Sequence, residues 1–450
     1  MKRTRNVLKK TASLLLASVM VFAISVPSFA ETDPAAYSPK ANIKVGKTLT
    51  STQTGVWPDT TTFTFKLSAF SYTAGPDVSN TAYTDYDKTN LPMPETGAAN
   101  TAAAADAEDG NALTETITIS GFDRTSTEAS QTLKVTTGNA TYTQAGVYTY
   151  TLKENVPADD DKESGVTYDE TLYYVNVYVT NVLKADGTPL LDAATGLPVV
   201  NVSNITAFKT TNGDTDPTAP DFNNVGAADS TTDAKIGITT PDPTSAEPRS
   251  IEYPFTNDYA TADLVVTKKV TGKMADIEKQ FDFTIALKNS HNADDTRTYA
   301  YQVWSMGADE EKGGTDDVKV TTTGKSGTVT NNSTFTLKHD EYIVITGLAT
   351  DEKVTVTETG AADYKTTITT QNGTTAPAGA DVTDLTANKT AGEKTISTAT
   401  DAVNRQDFVN NKEAVTPTGI LVENMPFILI LCGAGLALVI ILRKRSRKEQ

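Results

Sequence analysis

The sequence predicts an all-β protein built as two tandem domains, and three observations carry that prediction. Short runs rich in Thr, Val, Tyr and Phe alternate in polarity between Gly, Asn, Asp and Pro, for example TTFTFKLSAF at 61–70, GVYTYTLKE at 146–154 and TLYYVNVYVTNVL at 171–183. Few stretches before the C-terminal segment show a sustained helical period. The stretch 31–418 is too long for one ordinary sandwich and suits two.

A repeat fixes where the two domains lie. The first opens with ANIKVGKT at 41–48 and FTFKL at 63–67, and the second with ADLVVTKKV at 262–270 and FDFTI at 281–285. Each has a later strand ending in Glu, VYTYTLKE at 147–154 and KVTVTE at 353–358. Each closes on an aromatic-x-Asn strand, YPFTN at 253–257 and DFVN at 407–410. The expected domains are 40–259 and 260–414. Two insertions enlarge the first, an Ala-rich stretch around 98–107 and a Thr/Asp/Pro/Gly-rich stretch at 208–250, both expected as loops.

The ends carry targeting features. Arg3, Arg5, Lys9 and Lys10 precede an apolar run from Leu14 to Val26, and Ser28-Phe29-Ala30 supplies small residues before Glu31. Residues 1–30 are therefore expected to be a secretory signal peptide. At the other end VTPTG at 415–419 precedes the charge-free run 427–442 and five basic residues between Arg443 and Lys448. That run is long enough for a tilted membrane span held by a cytoplasmic basic tail. The order of motif, span and basic tail over 415–450 resembles a cell-wall sorting signal. The resemblance implies sortase cleavage between Thr418 and Gly419, followed by covalent anchoring to peptidoglycan. Val415 and Thr416 depart from the commoner Leu-Pro-x-Thr-Gly spelling. Met93-Pro94-Glu95-Thr96-Gly97 also fits Pro-x-Thr-Gly, but it lacks a following span and is read as a loop.

Composition excludes several functions. The chain has a formal charge of −17; with +5 in residues 1–30 and a net +3 in 419–450, the ectodomain 31–418 carries −25. So acidic a body repels nucleic acid and anionic lipid. The single cysteine, Cys432, lies in the apolar C-terminal run, so no disulfide stabilises the exported part. His291 and His339 offer no metal spacing and no hydrolase triad, so neither a cofactor nor a metal is expected. Asp77-x-Ser79-x-Thr81 has the spacing of a metal-adhesion motif but not the α/β context such a site needs.

Strand parity then singles out six polar residues. Ile43, Val45 and Lys47 share a face, as do Leu264, Val266 and Lys268. Tyr148, Tyr150, Leu152 and Glu154 line up, and so do Val354, Val356 and Glu358. Tyr253, Phe255 and Asn257 share a face, as do Phe408 and Asn410. Each domain is thus expected to direct one Lys, one Glu and one Asn into its core. Desolvation lowers a buried Lys pKa and raises a buried Glu pKa, so the pair can exist as neutral amine and neutral acid. A neutral amine is a nucleophile toward an Asn amide carbon, and the Glu is expected to polarise the Asn carbonyl and to shuttle protons as ammonia leaves. The expected chemistry is autocatalytic and single-turnover, not that of an enzyme.

The strings GVYTYTLKE, GVTYDETLYYV and YPFTNDYATADLVVTKKVTG resemble the streptococcal-type pilin isopeptide-linkage family. That resemblance implies two immunoglobulin-like, Cna-B-type sandwiches in the shaft of a covalent pilus. It implies cross-links Lys47–Asn257 with Glu154 and Lys268–Asn410 with Glu358, and a pilin sortase that joins Thr418 to a lysine of the next subunit. Relatives place that lysine just before the first domain's closing strand, where this chain has EPRSIEYPFTN and no lysine. Lys235 and Lys209 in the preceding segment are the candidates instead. The partners so implied are pilin and housekeeping sortases, other pilin subunits and peptidoglycan, with any host ligand unspecified. The alternative is a wall-anchored adhesin or accessory pilin that uses the same sandwiches as a stalk.

Overall fold

A computed structural model describes residues 37–75, 84–94, 104–106, 110–210, 233–238, 249–308, 312–371, 380–382, 388–399, 402–413 and 418–446. The signal peptide expected over 1–30, the Asp77-x-Ser79-x-Thr81 motif and Glu95–Gly97 lie outside the described residues. The chain divides into two compact units, with the boundary between Ala260 and Thr261.

The first unit contains β1 (Lys40–Ser51), β2 (Thr62–Ala74), β3 (Ala104–Asp106), β4 (Ala112–Ser120), β5 (Ser130–Thr136), β6 (Ala140–Thr141), β7 (Gly146–Glu154), β8 (Val166–Thr167), β9 (Leu172–Asn181), β10 (Val200–Thr210), β11 (Asp233–Ile238) and β12 (Arg249–Tyr259). One sheet runs β5-β1-β12-β8 with β6 beside β1, and the other runs β11-β10-β9-β7-β2-β4-β3. Period-2 side chains from both meet in one core that includes Val45, Phe65, Leu152, Val175 and Phe255. The first and last strands are parallel neighbours, with Lys47 opposite Phe255 and Leu49 opposite Asn257.

The second unit contains β13 (Thr261–Thr271), β14 (Phe281–Lys288), β15 (Tyr299–Ser305), β16 (Val318–Lys319), β17 (Ser326–Val329), β18 (Thr334–Leu337), β19 (Glu341–Ala349), β20 (Lys353–Thr359), β21 (Lys365–Gln371), β22 (Ala380–Val382), β23 (Lys389–Thr390), β24 (Lys394–Thr395) and β25 (Arg405–Asn411). Its sheets run β16-β15-β19-β13-β25-β21-β22 and β18-β14-β20-β23, with β17 on β15 and β24 on β20. Leu264, Phe283, Ile343, Val354 and Phe408 belong to its core. Its first and last strands are again parallel neighbours, with Lys268 opposite Phe408 and Val270 opposite Asn410. The lysine-to-asparagine offset is therefore the same in both units.

The structure corrects both loop expectations in part. Within 98–107, residues 104–106 form β3 and pair with β4. Within 208–250, Phe208-Lys209-Thr210 continue β10, and Asp233–Ile238 form β11 antiparallel to it. Lys209 lies opposite Ala234, and Lys235 opposite Phe208. Both candidate linking lysines therefore sit in paired strands, not in a loop. The reason is local alternation in DAKIGI at 233–238, which the Thr/Asp/Pro/Gly composition around it obscures. Arg249 and Ser250 open β12 itself.

Residues Thr418–Ser446 form helix α1. Its side chains at Leu429, Leu431, Leu436 and Ile441 are exposed. Among the described residues no helix is long and apolar enough to cross a membrane. The span expected at 427–442 is thus not established by the fold.

Candidate functional site

The expected residues converge in each unit. In the first, Lys47 and Asn257 come from the adjacent first and last strands, two register positions apart on one face. Glu154 ends β7 in the facing sheet, opposite Phe65 of β2. All three are buried. The Lys47 amine donates to Glu154 Oε2 at 2.7 Å, and Asn257 Nδ2 donates to Glu154 Oε1 at 2.8 Å. One carboxyl thus holds both the amine and the amide, one per oxygen, and it meets the amide at Nδ2, not at the carbonyl it was expected to polarise. Aromatic rings complete the cage: the Lys47 nitrogen lies 5.0 Å from the Phe63 centroid and 5.9 Å from that of Phe65.

The second unit repeats the plan. Glu358 of β20 lies opposite Phe283 of β14, the counterpart of Phe65. Lys268, Glu358 and Asn410 are each 0 % exposed. The Lys268 nitrogen is 2.7 Å from Glu358 Oε1, and Asn410 Nδ2 donates to the same oxygen at 2.9 Å. The grip is therefore one-handed: Lys268 Nζ is not aligned to donate to any described acceptor, and Glu358 Oε2 has no hydrogen-bond partner among the described residues. The Phe281 ring, counterpart of Phe63, lies 4.4 Å from the lysine nitrogen.

Burial governs the protonation of both pairs. Desolvation pushes the Lys47 amine below its ordinary value, opposed by the charge and hydrogen bond of Glu154. It pushes the Glu154 carboxyl up, opposed by Lys47. In the second unit desolvation lowers Lys268 to about 8 and raises Glu358. Each pair is thereby shifted toward amine and acid. An unhindered surface Lys–Glu pair would keep both charges.

Sequence reasoning missed three neighbours. The Asp169 main-chain N–H donates to Asn257 Oδ1 at 2.8 Å. The Thr366 hydroxyl donates to Asn410 Oδ1 at 2.7 Å. Lys389, fully buried on β23, stands opposite Glu358 and favours its ionised form. Asp169 sits inside GVTYDETLYYV, so its neighbourhood was marked; parity puts Thr366 on the face of Ile368 in KTTITTQ, but only the strand pairing brings it to Asn410. Among the described residues no His, Cys, Asp and Glu cluster suits a metal ion. Cys432 is free and exposed.

Comparison with known proteins follows the same division. Residues 43–225 match the family described as "Spy0128-like isopeptide containing domain". The first unit is thus similar over most of its length to that isopeptide-containing domain. Residues 262–412, which hold the second Lys–Glu–Asn set, match a family described only as a domain of unknown function. The chain is 30% identical over 163 residues to the pilus tip adhesin Cpa of Streptococcus pyogenes, covering 36% of this chain and 18% of that protein. It is 28% identical over 201 residues to a pilin of Streptococcus pyogenes serotype M1, covering 44% of this chain and 54% of the pilin. The chain thus spans about half of one curated relative and under a fifth of the other. The crystal structure of the major pilin from Streptococcus pyogenes aligns at a TM-score of 0.46 and 20% identity, over 83% of this chain and 99% of that one.

Proposed function

We propose that the chain is a structural subunit of a covalently assembled surface pilus, and that each unit locks itself with a Lys–Asn amide. The observation that carries this reading is the duplicated site: two buried Lys–Glu–Asn sets, each bridging the first and last strands with the same register offset. In the reaction the neutral lysine Nζ attacks the Asn Cγ. The carbonyl π pair moves onto Oδ1, and a proton from Nζ passes through the Glu carboxyl to Nδ2. The Cγ–Nδ2 bond then breaks, ammonia leaves and the carbonyl re-forms. Glu154 and Glu358 are the proton shuttles. The reaction runs once per site, so the chain is its own substrate and not an enzyme.

Assembly and anchoring belong to the same proposal. A pilin sortase would cut between Thr418 and Gly419 and join the Thr418 carbonyl to a lysine amine of another subunit. A housekeeping sortase would transfer the finished polymer to peptidoglycan. Secretion would use residues 1–30, and the charge-free run 427–442 would hold the precursor at the membrane. Lys235 and Lys209 remain the linking candidates, now as residues of the β10–β11 hairpin.

Intact mass of the mature chain decides the cross-links: the expected value is two ammonia molecules below the sequence mass, and an unreduced mass refutes them. An immunoblot of wall extracts decides assembly, where a denaturant-resistant ladder is expected. The similarity to a tip adhesin favours a second reading, a wall-anchored adhesin or accessory subunit. A single anchored band would select it.

A further inference from the structure

We propose that Thr366 is a catalytic residue of the second unit, the donor that stabilises the oxyanion formed on Asn410, and that the Asp169 main-chain N–H does the same for Asn257. The inference rests on the cross-linking reading and adds what that reading leaves out. Glu358 contacts Asn410 through Nδ2, the leaving nitrogen. That contact does nothing for the oxygen, where charge accumulates when the amine adds. Thr366 stands directly opposite Asn410 in the β21–β25 pair, and its hydroxyl lies 2.7 Å from Oδ1. Both residues are 0 % exposed, so bulk water does not compete for that oxygen. A hydrogen bond to a neutral amide oxygen becomes charge-assisted when the oxygen turns anionic. Stabilisation that grows toward the transition state is what accelerates a reaction.

The first unit meets the same requirement with a different group. The Asp169 N–H lies 2.8 Å from Asn257 Oδ1. Its carboxylate holds it there, accepting from Thr256 N at 2.7 Å and from Thr171 N at 2.9 Å. Asp169 is thus a positioning residue through its side chain and a donor through its backbone. A side-chain substitution cannot delete a backbone donor, whereas the hydroxyl of the second unit can be removed by an isosteric change.

The test is a time course of the full chain made by cell-free synthesis. Samples are quenched in denaturant and digested, and each cross-linked peptide is quantified by mass spectrometry against its linear forms. Thr366→Val should slow closure of Lys268–Asn410 by about a hundredfold. Thr366→Ser should close it at near the wild-type rate. Lys47–Asn257 in the same molecules should be unaffected and reports that the first unit has folded, and protease resistance of the second unit, matched to Asn410→Ala, reports that it has folded too. Wild-type closure rates in Thr366→Val would overturn the proposal. So would equal slowing in Thr366→Ser, which would assign the effect to lost methyl packing. A wild-type chain that never releases ammonia from Asn410 would overturn the cross-linking reading itself, and this inference with it.

Discussion

The proposed chemistry of each site would depend on an amine that has lost its proton, and the second unit makes this measurable. With Lys268 lowered to about 8, closure of Lys268–Asn410 should accelerate as pH rises and level off above about 8, in the cell-free time course. The uncross-linked state carries the matching stability signature. In Asn410→Ala burial still holds the folded lysine below its unfolded value of 10.5, so between the two values the unfolded chain binds more protons. Stability of that variant should therefore climb with pH across this window, read as a rising urea midpoint. Lys268→Arg should abolish the bond at every pH, because a guanidinium stays protonated. These six residues were legible in the sequence because strand parity needs no knowledge of partners. Asp169, Thr366 and Lys389 were not, because each matters only through which strand lies beside which. Parity sets Thr366 on the face of Ile368, but nothing in KTTITTQ says that this strand lies beside Asn410.

A contrast among the strands sets the lysine proposed to react against one held as a cation. Lys325, just before β17, is buried against Glu341 of β19 at 2.7 Å. It also donates to Thr336 O at 2.8 Å and to Gln280 Oε1 at 3.1 Å. An ammonium with three acceptors is satisfied as a cation, whereas the Lys268 nitrogen has a carboxyl on one side and the Phe281 ring on another. Lys325→Met would leave the Glu341 carboxylate buried without its cation and should cost about 3–5 kcal/mol in chemical denaturation. Strand order explains the limits of the sequence reading at this scale. The opening, Glu-bearing and closing strands were readable as repeats. The β10–β11 hairpin was not, because its second strand is six residues set in a stretch of turn-forming composition.

Over the whole chain, each cross-link would close a loop of nearly a full unit, 210 positions from Lys47 to Asn257 and 142 from Lys268 to Asn410. Loop-entropy reasoning gives about 5 kcal/mol for each. Glu154→Ala should leave the fold intact, keep one ammonia, and lower the melting temperature of the first unit by about 10 °C or more in calorimetry. If the chain polymerises through the β10–β11 hairpin, Lys235→Arg or Lys209→Arg should erase the ladder on an immunoblot; persistence in the double variant would exclude the hairpin. The parallel pairing of first and last strands has one more consequence, in length instead of energy. A bond from Lys268 to Asn410 takes everything between them out of the path of a pull that enters through β10 or β11 and leaves through Thr418. At about 3.5 Å per extended residue, that withholds about 500 Å of chain in the second unit. A fibre of such subunits would have little of that unit to release: under drag it would hold its length there until a covalent bond failed.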